Sequence, residues 1–215
     1  MGVKPRTKFG KRLENCIEGE YRELGYVLGW RLLYSPECVL DSATICFIGI
    51  NPGGSQREPK VDGLCTPPRT SAYCHERWRY HGKQREAGQS PLQRQIVDLF
   101  GCLSAEGCPS VEPTAVLAGN LIPFRSPSIG KLACRQKALD FGSTIWRSIL
   151  DLTKPKLVIV MGSDTRKAVS EIVCARDGGG DFAFGKCRYG NYVGIKHLSR
   201  RLLKKTERDY LAKLK

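Results

Sequence analysis

Several absences narrow what this chain can be. No apolar run approaches the roughly 20 residues that span a bilayer. The charged start MGVKPRTKFGKRLENC is followed by no apolar signal core. The expectation is a soluble, intracellular chain with no membrane partner, in the cytoplasm and nucleoid, or in the nucleus of a eukaryote. Ten cysteines are present, yet no two form a C-x-x-C pair. Without a secretory signal, a disulfide framework is not expected. Cys46 lies in an apolar run, and Cys102 and Cys174 lie near helix ends, where a thiol serves as a small hydrophobe. Cys65, Cys74, His75 and His81 fit no ordinary zinc or iron–sulfur spacing, so no metal and no cofactor is expected. The sequence has no P-loop, no G-x-G-x-x-G after a strand and no G-x-S-x-G elbow. It has only three histidines.

Acidic residues are also scarce: 21 Asp and Glu against 35 Lys and Arg, a formal charge of +14. Residues 1–13 carry Lys4, Arg6, Lys8, Lys11 and Arg12 and no acid, and residues 196–215 carry eight cations against Glu207 and Asp209. Clustered positive charge suits a polyanion, because neutralising phosphates releases counterions and supplies most non-specific nucleic-acid affinity.

The chain has 215 residues, 41% of them hydrophobic, enough for one sizeable core. Four short apolar segments bounded by turn residues are expected as buried strands: 44–49 (TICFIG), 114–120 (TAVLAGN), 156–162 (KLVIVMG) and 192–197 (YVGIKH). Helical patterns fall between them. Ser90-Pro91-Leu92-Gln93 is a helix start with a capping box, and Leu92, Ile96, Leu99, Phe100 and Leu103 mark its buried face. Further helices are expected over about 138–152, 164–174 and 200–215. The alternation implies one α/β domain over 1–215, a three-layer α/β/α arrangement around a mostly parallel four-stranded sheet. Residues 1–40 are expected as an N-terminal extension packed on the core, with a helix over about 7–24 and a short strand near 30–34. Residues 54–90 form a long basic insertion containing Arg77-Trp78-Arg79-Tyr80; loops this long are functional or disordered. Residues 177–181 (DGGGD) suggest a flexible turn. The chain is expected to act as a monomer.

Ligands of open α/β sheets bind outside the carboxyl ends of the strands. The first strand is followed by Asn51-Pro52-Gly53-Gly54, the second ends in Asn120, and the fourth ends in His197. Three of the four ends thus carry an amide or an imidazole toward one crevice.

GINPGG at 49–54 and HLSR at 197–200 resemble the two signature motifs of the uracil-DNA glycosylase superfamily. The first is similar to the Gly-x-Asn-Pro-Gly form of its mismatch-specific and single-strand-selective monofunctional branches. Asn120-Leu-Ile-Pro-Phe stands where the single-strand-selective branch has its base-reading asparagine. The likeness covers about 43–203, with the motifs in the family's order.

The resemblance implies a monofunctional DNA glycosylase that flips out uracil or a related damaged base and hydrolyses its N-glycosidic bond in base excision repair. Asn51 would position the attacking water, and His197 would donate to the carbonyl oxygen of the departing base. Such donors are worth about 3–4 kcal/mol each in a dry pocket. Asn51 is no strong general base, so positioning and electrostatics must carry more of the rate. Gly49, Ile50 and Asn120 would form the base pocket. The Asn120 amide can match O4 and N3–H of uracil, although a strand-end asparagine can equally cap a turn. Tyr73 is the nominated stacking aromatic; a core tyrosine is the other reading. Ser55 and Ser199 would hold phosphates. Arg200 and Arg201 stand where the family inserts a loop into DNA; the alternative is a solvated basic stripe with Lys204 and Arg208. Gly53 replaces a tyrosine that, in some branches, blocks a substituent at base position five. The expected substrates therefore extend to 5-substituted uracils and deaminated purines. No lysine matches a family nucleophile, so no lyase activity is expected. Two alternatives use the same crevice: a damaged- or single-stranded-DNA-binding protein with little turnover, and an enzyme of small nucleosides, against which the charge argues.

Overall fold

The computed structural model describes residues 6–56, 58, 60–103, 111–199 and 202–214. Thr7 caps α1 (Lys8–Glu23), its Oγ1 accepting from the Gly10 N–H at 2.9 Å. Leu13, Ile17 and Tyr21 form the buried stripe of that helix. Then follow β1 (Gly29–Arg31), β2 (Ile45–Gly49), β3 (Val61–Gly63), the short α2 (Ala72–His75), β4 (Arg79–Tyr80) and β5 (Lys83–Gln84). Next come α3 (Pro91–Cys102), β6 (Leu117–Asn120), α4 (Arg135–Thr153), β7 (Leu157–Met161), α5 (Ser163–Val173), β8 (Phe182–Cys187), β9 (Gly190–Ile195) and α6 (Lys205–Ala212). The expected capping box is present at α3: Gln93 N donates to Ser90 Oγ, and Ser90 N donates to Gln93 Oε1.

The central sheet has the order β6-β2-β7-β9-β8. All its pairs are parallel except β8 with β9. Alternation along the strands feeds two cores. Cys46, Ile48, Val158 and Val160 face α1, α4 and α5. Phe47, Leu157, Ile159 and Met161 face α2, α3 and α6. Helices therefore cover both faces, as a parallel sheet requires.

The sheet has five strands where four were expected. The extra one, β8, is an edge strand with a single neighbour. Its sequence FAFGKC is mostly half-buried or exposed, so it lacks the continuous apolar run that marks the inner strands. The DGGGD segment is not a loose turn. Asp177 receives Arg166 Nε at 2.7 Å and the Tyr192 hydroxyl at 2.6 Å, and the Gly179 and Gly180 carbonyls accept from the same guanidinium. The last helix begins at Lys205, with Lys204 as its N-cap, so the expected stripe of Arg200, Lys204 and Arg208 does not lie along one helix; Arg200 is outside the described residues.

The N-terminal segment packs on the core as expected, with Trp30, Leu32 and Leu33 buried. Its strand is Gly29–Arg31, paired in parallel with Val61–Gly63 of the insertion. The described part of the insertion holds two strand pairings and a helix rather than an open loop. No helix among the described residues is long and apolar enough to cross a membrane.

Candidate active site

The carboxyl ends of β2, β6, β7 and β9 open into a cavity of about 510 Å³. Asn51, Asn120, Met161 and His197 reach it from the sheet, and Tyr34 from the segment after β1. Gly49 and Asn120 are register partners on neighbouring strands.

Asn51 is half-buried, and its amide is oriented by its surroundings. Nδ2 donates to the Pro52 carbonyl at 3.0 Å and to Ser126 Oγ at 2.9 Å. Ser126 spends its own proton on the Ser128 carbonyl at 2.8 Å, so toward Asn51 it can only accept. Both amide hydrogens are committed, and Oδ1 is the atom left to accept from a ligand or water.

Asn120 is 5% exposed. Its backbone is fixed on both sides: the N–H donates to the Leu32 carbonyl at 2.9 Å, and its carbonyl accepts from Trp146 Nε1 at 2.7 Å. Its side-chain Nδ2 is buried, and its nearest polar partner among the described residues is the Tyr34 hydroxyl, too poorly aligned for a full hydrogen bond. An unpaired buried donor costs about 1–3 kcal/mol, and this one lies at a cavity wall where an acceptor could satisfy it. Gly49 is what admits this side chain, since a Cβ at Gly49 would stand 3.0 Å from Asn120 Oδ1. Residues 32–35 run beside β6, with Leu33 opposite Gly119, and this brings the Tyr34 phenol alongside the amide. Part of the Tyr34 ring reaches the cavity surface. Burial of its hydroxyl nevertheless raises its pKa, outweighing Arg31, Arg125 and the Asn120 amide, and keeps it a neutral donor.

His197 lies just past β9. The Ser199 N–H approaches Nδ1 at 3.3 Å and the Ser199 hydroxyl at 2.7 Å. A backbone N–H can only donate, so the Nδ1 that faces it is assigned as the acceptor, which leaves Nε2 as the ring nitrogen able to donate.

The insertion builds the opposite wall with Tyr73, Glu76 and Trp78. Tyr73 is a core tyrosine, the second reading of it, that also reaches the cavity. It is 2% exposed and edge-on to Tyr34, Phe47, Trp78 and Phe100, and it also lines the cavity. Glu76 is ion-paired with Arg31 and accepts from Trp78 Nε1 at 3.3 Å. The other lining carboxylate, Glu58, pairs with Arg125 at 3.0 Å. Both acids are thus committed to guanidinium groups.

Arg125 is the buried anchor of the Pro52-Gly53-Gly54 turn. Nε donates to the Gly53 carbonyl at 3.0 Å, and Nη1 to the Leu28 carbonyl at 3.3 Å. Gly54 has φ +149°, and a Cβ there would stand 2.1 Å from the guanidinium. Gly53 faces open space: a Cβ there would meet nothing within 4 Å.

The cavity thus gathers Ile50, Asn51, Tyr73, Asn120 and His197, while Gly49 shapes it from behind. Ser55 and Ser199 do not line it, and Ser199 is engaged with the imidazole. Arg200 and Arg201 lie outside the described residues. Sequence reasoning missed Tyr34, Glu76, Arg125 and Ser126. The only local signal was the run Pro123-Phe124-Arg125-Ser126, which begins three residues after Asn120 at the same strand-end edge. No family model matches the chain, and no curated protein matches it.

Proposed function

We propose that this chain is a monofunctional DNA glycosylase that removes uracil or a related damaged base, of the uracil-DNA glycosylase superfamily type. One observation carries the reading: a single cavity receives the Oδ1 acceptor of Asn51, the buried amide of Asn120 beside the Tyr34 hydroxyl, and the His197 imidazole. These match the needs of N-glycosidic hydrolysis. A base extruded from the stack presents its carbonyl edge to Asn120 Nδ2, giving that weakly held donor a well-aligned acceptor. Asn51 Oδ1 accepts from a water aimed at the sugar carbon. As the C–N bond breaks, its electron pair leaves with the base, and His197 Nε2–H donates to the base oxygen where that charge collects. The water oxygen bonds the sugar carbon, its spare proton passes to solvent, and the base departs. Because Glu58 and Glu76 are held by arginines, the rate rests on placement and electrostatics rather than on a strong base.

The test is a labelled oligonucleotide with one uracil, incubated with the protein and then treated with alkali. Strand breaks at the uracil are expected, and their loss in His197→Ala. An intact strand in single-stranded and mismatched contexts alike sinks the reading. Borohydride should trap no protein–DNA adduct, because no lysine serves as nucleophile.

A further inference from the structure

We propose that the β4–β5 hairpin is a second nucleic-acid contact, a stacking and phosphate-gripping arm for a single strand leaving the cavity. The inference rests on the glycosylase reading for its setting, but on different residues. The root of the hairpin is part of the cavity wall. Trp78 packs edge-on to Tyr34 and Tyr73, both at 5.7 Å between ring centroids, and Arg77, Arg79 and Gln84 also line the cavity.

From that root the arm projects into solvent. Arg79 pairs with Gln84 and Tyr80 with Lys83, and Arg85 N donates to the Trp78 carbonyl at 2.9 Å. The turn is His81-Gly82, with φ 49° and 74°. Two left-handed residues make the tight connection that follows strand twist, so the tip has little slack. Residues 79–86 are all exposed.

The pairing places Tyr80, Lys83 and Arg85 on one side of the ribbon. Tyr80 is 40% exposed at the tip, with the Arg85 guanidinium 5.8 Å from its ring centroid and the His81 ring edge-on at 4.2 Å. Arg79 lies on the other side. The acid of the arm, Glu86, is already paired with Arg77 at 2.8 Å. An exposed aromatic flanked by cations that have no ion pair among the described residues suits a base with its phosphates, the mixture that sequence-tolerant single-strand binders use. A protein partner of opposite charge would not need the exposed aromatic ring.

The experiment reads binding apart from turnover. Fluorescence anisotropy of a labelled oligothymidylate, which has no uracil, is measured with the full chain over a salt series. Tyr80→Ala is expected to weaken binding about tenfold at an unchanged salt slope, and Tyr80→Trp to restore it. The combined Arg79→Gln, Lys83→Gln and Arg85→Gln variant is expected to flatten the slope of log K against log salt by about 2. The thermal midpoint should stay put, because these side chains are exposed. Wild-type affinity and slope in both variants overturn the inference. If those same variants still excise uracil, the glycosylase reading survives without it. If hairpin-dependent binding is found but wild type releases no uracil, the arm stands and the glycosylase reading falls.

Discussion

The Asn51 amide nitrogen lies 2.9 Å from Ser126 Oγ, and Ser126 has already given its proton to Ser128. This two-step relay decides which end of the Asn51 amide faces the cavity. Ser126→Ala removes the acceptor and lets the amide rotate. A lost orienting hydrogen bond is worth about 1 kcal/mol, so the single-turnover excision rate should fall about fivefold to tenfold with little change in thermal midpoint. An unaltered rate means the relay does not orient a reacting group.

Asn120 should separate stability from function. Among the described residues its buried Nδ2 has only the poorly aligned Tyr34 hydroxyl beside it, so Asn120→Ala discards a desolvated donor along with some packing. The two effects oppose, and the net stability change should stay within about 1 kcal/mol. Excision should fall at least tenfold, because the base edge loses its donor. Chemical denaturation and single-turnover kinetics on the same preparation check both halves. A large destabilisation would mean that the amide serves the fold rather than a ligand.

Gly53 is the position at which substrate range can be narrowed. A side chain there meets nothing within 4 Å, so Gly53→Tyr should fold normally. On the proposed reading it retains uracil excision within about threefold and loses 5-hydroxymethyluracil by tenfold or more, because steric rejection of a substituent costs about 1–3 kcal/mol. Equal losses on both substrates would count against this role.

The Asp177–Arg166 pair predicts a pH dependence of stability. The Arg166 guanidinium, which outweighs burial, and the Tyr192 hydroxyl lower the Asp177 pKa from 3.8 to about 2. The folded state therefore releases this proton more readily than the unfolded chain. The stabilisation is complete above the ordinary carboxylate range and is lost as pH falls from about 4 to about 2. Asp177→Asn should cost about 3 kcal/mol at neutral pH, because it leaves a buried guanidinium without its counter-charge. Its stability should also be flatter across the acid window. Urea denaturation at a series of pH values measures both.

Legibility from sequence followed burial and locality. The inner strands were readable because β2 and β7 are buried nearly end to end, and the start of α3 was readable because Ser90, Pro91 and Gln93 act within one turn. Strand β8 was not, since one neighbour and a half-exposed face leave no continuous apolar run. Asn51, Asn120 and His197 could be assembled from the rule that strand ends face the ligand. The groups that orient and enclose them could not. Ser126 reaches Asn51 across 75 positions of sequence, and Tyr34 meets Asn120 only because residues 32–35 run beside β6. Such pairings are made by topology and leave no local pattern.

The position of β7 has a dimensional consequence. It lies between β2, which leads to Asn51, and β9, which leads to His197. Neighbouring strands stand about 4.8 Å apart, so the strand ends that lead to the two residues are separated by roughly 10 Å. That interval is a gauge cut by the repeat of peptide hydrogen bonds, and no side-chain replacement can reset it. Substitutions can repaint the jaws, but the span between them is inherited from the sheet. On the proposed reading, discrimination between larger and smaller guests therefore falls to the open side, where Gly53 and the hairpin stand.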